Sequence, residues 1–168
     1  FIKLIQRHET LRTSFEFIDG EVYQKVHENV EFKVDYMELL TQDEEKCAKQ
    51  LFHDFVKPFD LRKAPMFRAK LVKLRENRYV LMYDMHHIIS DGWSINILVE
   101  EFVYSYLMFI NSEYPNLPEL KVQYSDFSIW QHENISGKIL NSQIEYWKSK
   151  LENIPSIINL PTDRKRPL

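Results

Sequence analysis

Two adjacent imidazoles, His86 and His87, stand just ahead of an acid and a glycine in the run Met85-His86-His87-Ile88-Ile89-Ser90-Asp91-Gly92-Trp93-Ser94. Histidine has an unperturbed pKa of about 6.5, so it accepts and returns a proton near neutral pH and suits acid–base or acyl-transfer chemistry. The preceding run Tyr79 to Met85 is apolar and β-compatible. Consecutive side chains on a strand face opposite ways, so the two histidines are not expected to serve one site: one points toward a cleft and the other packs within the lobe. Asp91 and Gly92 then turn the chain into an amphipathic helix, Trp93 to Ile110, with Leu98, Phe102, Tyr106 and Phe109 on its apolar face. A buried carboxylate at such a turn needs a cation or several N–H donors, so Asp91 is expected to organise the loop and not to take the proton. No metal site is expected, because adjacent strand residues diverge and no further His, Cys or carboxylate stands at a spacing that completes a tetrahedral shell.

The elements around this run follow from periodicity. Phe1 to Thr13 reads as the end of a helix with Ile2, Ile5 and Leu11 inward, and Ser14 to Ile18 with Glu21 to Val26 reads as a hairpin around Asp19-Gly20. Phe32 to Tyr36 is a further short strand, Asp43 to Phe55 an amphipathic helix, and Phe67 to Leu74 with Arg78 to Met85 two strands around Glu76-Asn77. Helical segments near Tyr124 to Asn134 and Ser142 to Asn153 follow a loop carrying Pro115 and Pro118. Tyr124, Phe127 and Trp130 recur at helical spacing and are expected to pack in the core before they contact any ligand, as are Trp93 and Trp147. Arg7 and Arg12 stand on a helix next to the hairpin, where a planar donor fork could meet a buried Asp; the competing reading is two solvated arginines.

Composition bounds the class. A chain of 168 residues, 44% hydrophobic and 14% aromatic, has material for one core. The net charge of −3 and the mixed signs leave no polybasic field, so nucleic acid is not an expected partner. No apolar run approaches the roughly 20 residues of a bilayer crossing, so no membrane association is expected and the default compartment is the cytoplasm. The single Cys47 excludes an internal disulfide, and its polar, helix-like setting reads as a passive thiol. One domain over 1–154 is expected, followed by a proline- and charge-rich linking or crossing segment, 155–168.

The stretch MHHIISDGWS resembles the HHxxxDG motif of condensation domains of nonribosomal peptide synthetases, within the chloramphenicol acetyltransferase-like superfamily. Three further segments agree in the family's order. Arg7 to Phe15 (RHETLRTSF) is similar to RHExLRTxF, Tyr124 to Gln131 (YSDFSIWQ) to YxDFxxWQ, and Leu160 to Pro167 (LPTDRKRP) to LPTDRPRP. Four motifs in register across the chain make the resemblance specific. The implied fold is α/β, a two-layer sandwich of a mixed β-sheet with helices, in a chloramphenicol acetyltransferase-like lobe. By the same resemblance the first core motif lies upstream of Phe1 and a second lobe follows Leu168, which would make this chain a truncated amino-terminal lobe, about half of the catalytic domain. An opening without Met, in mid-helix and without a capping residue, agrees.

The activity implied is peptide-bond formation between aminoacyl or peptidyl thioesters. They are presented on phosphopantetheine arms by donor and acceptor carrier domains, with no cofactor bound directly. The partners implied are those carrier domains and the adjacent synthetase domains, the second lobe included. The site implied is His87 as the base or positioning group for the acceptor amine, His86 as a structural neighbour, Asp91 as organiser of the loop, and the backbone N–H of Gly92 as oxyanion support. Arg7, Arg12 and Trp93 are supports, with Arg12 the expected partner of Asp91 and the choice between the two arginines open. The intact His-His pair argues against heterocyclisation domains, whose motif carries aspartate there, and Gly92-Trp93-Ser94 differs from the epimerisation pattern. A coenzyme A-dependent acyltransferase of the same superfamily should lack the flanking RHETLRTSF and LPTDRKRP segments. A non-catalytic docking module for carrier proteins would tolerate loss of His87 or Asp91, and neither is lost.

Overall fold

The central strand of the sheet shows in its burial pattern why it sits where it does. In β4 (Phe67–Arg75), Phe67 and Ala69 are buried on one face while Val72 and Leu74, of opposite parity, are buried on the other. A strand shielded on both faces belongs in the middle of a sheet, and the strand order β3-β4-β5 places it there. β3 (Asp35–Glu38) runs parallel to β4, and β5 (Arg78–Met85) antiparallel to it, with Phe67 opposite Met85 and Leu71 opposite Leu81. The sheet is therefore mixed. The computed structural model describes residues 1–39, 44–155, 157, 161, 163 and 164, with the backbone alone over 44–49.

The first hairpin stands apart from that sheet. β1 (Thr13–Ile18) and β2 (Glu21–Val26) pair antiparallel as a two-stranded sheet of their own beside the mixed sheet. Asp19 and Gly20 both adopt positive φ, 51° and 89°, the paired left-handed geometry that closes a two-residue hairpin in step with strand twist. The Asp43 start expected for the next helix lies outside the described residues; α2 is described over Glu44–Phe55. The side chain of Cys47 also lies outside them.

Helices α1 (Ile2–Arg7) and α3 (Gly92–Ile110) bring Leu4, Ile5 and Leu98 against Met66, Phe67 and Ala69, the layer that makes this an α/β arrangement. After α1 the chain tightens into a 3₁₀ turn, Glu9–Arg12, and does not continue as one helix to Thr13. Leu4, Ile5 and Leu11 are buried while Ile2 is 60% exposed, which corrects Ile2 alone in the expected inward set: Leu4, two residues on and about 200° around the helix, takes the inward place. On α3 the inward stripe runs through Leu98, Glu101, Phe102 and Ser105, while Tyr106 and Phe109 are 57% and 48% exposed. The expected stripe followed residue size. The observed one combines Leu98 in the core and Phe102 stacked on Phe1 at 4.5 Å with Glu101 on Arg7 and His8.

The expected strand at Phe32 is displaced to Asp35, and Phe32 packs on Phe67 with ring centroids 5.2 Å apart. The described chain forms two compact units, Phe1–Asp126 and Phe127–Leu168. α4 (Tyr124–Asn134) begins in the first and α5 (Gly137–Leu151) lies in the second. Tyr124, Phe127, Trp130 and Trp147 are each 43–59% exposed, against the core packing expected of them. Most of 155–168 lies outside the described residues, as does most of LPTDRKRP. No helix among the described residues is long and apolar enough to cross a membrane.

Met66 is fully buried beneath α1 and α3. Met66→Ala is expected to cost about 2–5 kcal/mol in denaturant unfolding, whereas Ile2→Ala stays within about 0.5 kcal/mol. Equal losses at the two positions would contradict the placement of the core.

Candidate active site at the strand–helix turn

Strand β5 stops at Met85 and the chain turns at once. The backbone N–H of His86 extends the ladder by one bond to Met66 O (3.1 Å), and Ile89 N–H closes the turn on His86 O (3.1 Å). His86 Nδ1 accepts the Ile88 N–H at 3.0 Å, and Ser90 Oγ donates to His86 O at 3.2 Å. An Nδ1 that accepts carries no proton, so His86 holds its proton on Nε2. Its ring stands edge-on to Phe59 at 6.3 Å, and Phe59 in turn lies under the Arg68 guanidinium at 3.7 Å. Arg68 pairs across the strands with Asp84 at 3.2 Å. His86 is built into the lobe.

His87 is exposed and makes no side-chain hydrogen bond to any described residue. The two rings part as expected, but for a different reason: the turn separates them, because the strand has already ended. The expectation of an extended chain through both histidines is corrected accordingly.

Asp91 caps α3. Its Oδ1 accepts from the Ser94 N–H at 2.8 Å and from Ser94 Oγ at 2.8 Å, and Ser94 Oγ accepts the Asp91 N–H at 2.7 Å, a reciprocal capping box. The Ser94 backbone N–H, then its hydroxyl, hold the Asp91 carboxyl below the usual carboxylate range, with smaller help from the Trp93 N–H and the charge of His87. The carboxylate is at the surface and satisfied by the helix's own first-turn donors, so it needs no cation. The expected Arg12–Asp91 pair is therefore not formed. Gly92 opens the helix, and nothing lies within 4 Å of where a Cβ would stand. Trp93, expected as a packed support, is 78% exposed, because five residues place it about 140° around the helix from inward-facing Leu98.

Both arginines are engaged elsewhere. Arg7 Nε donates to Glu101 at 3.0 and 3.2 Å, and His8 Nε2 meets the same carboxylate at 2.6 Å. Arg12 Nη1 donates to His27 O, and its Nη2 stands 3.5 Å from Glu9. Glu9 also accepts from Ser125 Oγ at 2.7 Å, and Gln123 bridges the Glu9 N–H and Arg7 O at 3.2 and 2.9 Å. His8 and Leu11 join Met85, Ile89, Ser94 and Leu98 around a cavity of about 70 Å³ beneath the turn. A second serine–histidine contact, Ser14 Oγ to His27 Nε2 at 2.8 Å, is no nucleophilic pair, since Ser14 is fully buried.

Glu101, His8, Glu9, Gln123 and Ser125 were absent from the residues singled out as supports. The one signal for Glu101 is an acid three residues after Leu98, on the inward face; its partners lie 93 and 94 positions away. No group of three or more His, Cys, Asp or Glu among the described residues could hold a metal ion.

The capping contribution of Asp91 should be fully present above its ordinary value of 3.8 and lost as the pH falls through the lowered folded value. Asp91→Asn, which caps without titrating, should lack that acid loss. In a carboxyl-carbon NMR titration the Asp91 midpoint is expected below 3.8 and to rise in Ser94→Ala. A midpoint at or above the ordinary value would contradict the capping geometry.

The model of the condensation domain family matches residues 1–168. Gramicidin S synthase 2 of Aneurinibacillus migulanus is 44% identical over 168 residues, covering 100% of this chain and 4% of the synthase. Among solved structures, the X-domain in a complex with OxyB from teicoplanin biosynthesis superposes with a TM-score of 0.80 at 27% identity, covering 98% of this chain and 36% of that one. The starter condensation domain of rhizomide synthetase shares the fold, with a TM-score of 0.76 at 19% identity over 92% of this chain and 38% of its own. The chain thus spans a small part of the synthases it matches and nearer a third than half of those solved chains. With its fold, its turn and these likenesses in agreement, the chain belongs to the condensation domain family.

Proposed function

We propose that this chain carries the catalytic turn of a domain that joins two carrier-bound thioesters by a peptide bond. The observation that carries the reading is the exposed, uncommitted imidazole of His87 at a strand–helix turn whose other polar groups are satisfied within the protein. The family membership supports the reaction class, and gramicidin S synthase 2 supports the setting in a multi-domain synthetase.

The chemistry asks little of the protein beyond placement and a proton acceptor. The acceptor amine attacks the thioester carbonyl of the donor, a C–N bond forms, and the C–S bond breaks to release the thiol of the donor's phosphopantetheine arm. The attacking nitrogen must shed a proton as the tetrahedral species forms. His87 serves as that acceptor or holds the amine by hydrogen bonding, and the proton ends on the departing thiolate. The Gly92 N–H, in the first turn of α3, supports the developing oxyanion. His86, its ring already bonded to the turn, keeps His87 in place. The phosphopantetheine arms and their carrier domains are substrates here, and the adjoining synthetase domains are the working partners.

The test uses the intact polypeptide that carries this chain, with donor and acceptor loaded on carrier domains and the acceptor read by intact mass spectrometry. Wild-type protein is expected to form product, and His87→Ala to lower the rate by about 10²- to 10⁴-fold. Unchanged product formation in His87→Ala would remove the histidine from the chemistry. Loaded carriers that bind wild-type protein without reacting would make the domain a scaffold.

A further inference from the structure

We infer that Glu101 is a positioning residue, one that holds the turn 86–91, and His87 with it, through Arg7 and His8. The inference rests on the reading of His87 given above. Glu101 lies on α3 ten residues after Asp91, roughly 15 Å along a helix whose first turn receives the catalytic loop. Its side chain is 13% exposed. Apolar contacts such as Leu98 on Ile89 hold α3 to the lobe without fixing its rotation, because burial has no direction. The directional contacts on this face of α3 are those of Glu101. Arg7 Nε meets both carboxylate oxygens, and His8 Nε2 meets one of them at 2.6 Å.

The arrangement of the two donors is what makes the clamp specific. Arg7 is the last helical residue of α1, while His8 has left the helix at φ −98° and ψ 109°. Their side chains depart in different directions and converge on one carboxylate, so α3 can neither rotate nor slide without breaking a contact. His8 then reaches the underside of the active turn, where it lines the cavity shared with Ser90, Ser94 and Ile89. A shift of the carboxylate by about 1 Å would be carried along the helix to His87, and a misplacement of that size costs about 10²-fold in rate. A buried polar cluster that served stability alone could be replaced by apolar residues with little loss. One that aims the turn could not.

The experiment uses the intact polypeptide with Glu101→Gln, Glu101→Asp and His8→Gln. Two readouts are taken: kcat and KM for product formed from carrier-bound thioesters, and amide hydrogen exchange across 86–95. Glu101→Gln is expected to lower kcat about 10- to 100-fold with KM within about threefold, to speed exchange of the turn, and to be partly rescued by Glu101→Asp. His8→Gln, which leaves Arg7 and Glu101 paired, is expected to show the same turn loosening in milder form and covers the case in which Glu101→Gln does not fold. Wild-type exchange across 86–95 in a folded variant overturns the positioning role whatever the activity. A wild-type protein that forms no product, with exchange still loosened in the variants, would fail the proposed reaction and leave the clamp standing.

Discussion

Three consecutive polar side chains, Arg7, His8 and Glu9, leave the end of α1 and are half-buried or more, and the lobe is arranged to answer them. Taking a charged or polar group out of water is costly unless partners repay it, so each needs a partner brought from elsewhere in the chain. Glu101 of α3 answers Arg7 and His8; Ser125 and Gln123, at the entrance to α4, answer Glu9 and the chain around it. Arg12, three residues after Glu9, reaches the carbonyl of His27 at the end of β2. Within Phe1–Asp126, α1, α3 and the end of β2, which burial alone would hold loosely, are thereby given a fixed relation to one another. The RHE segment is a hub of the scaffold, although by residue type it could be taken for a catalytic site.

That division explains the character of the strand–helix turn. Around His86–Asp91 the polar groups are consumed locally: His86 by Ile88, the His86 carbonyl by Ser90 and Ile89, Asp91 by Ser94. His87 is left exposed, its imidazole without a side-chain hydrogen bond to any described residue, just ahead of the N-terminus of α3. The acid of the motif organises the backbone, and it does so as a helix cap without a salt bridge. Because the capping box lies at one end of α3 and Glu101 near its middle, the helix acts as a rigid link between hub and turn.

What could be read in the sequence was what depends on near neighbours. The hairpin at Asp19-Gly20, the β4–β5 pair around Glu76-Asn77 and the long helix after Gly92 each rest on local period and turn chemistry, and each stands within a residue or two of its expected place. Failures came where a distant partner decides. Glu101 is turned inward because Arg7 and His8 stand opposite it, and nothing within α3 announces that. The same holds for Arg12, whose destination is His27, just past a strand that sequence could locate but could not dock. Motif spacing brought the right segments to notice, while the contacts among them were set in three dimensions.

The most direct measurement of the hub is a double-mutant cycle between Arg7 and Glu101, with Arg7→Ala, Glu101→Ala and both together compared in denaturant unfolding of the intact polypeptide. A clamp of the geometry described predicts a favourable coupling of about 1 kcal/mol or more, since residues within one ion-pair network do not contribute independently. Additivity within about 0.3–0.5 kcal/mol, the behaviour of distant and independent sites, would contradict it.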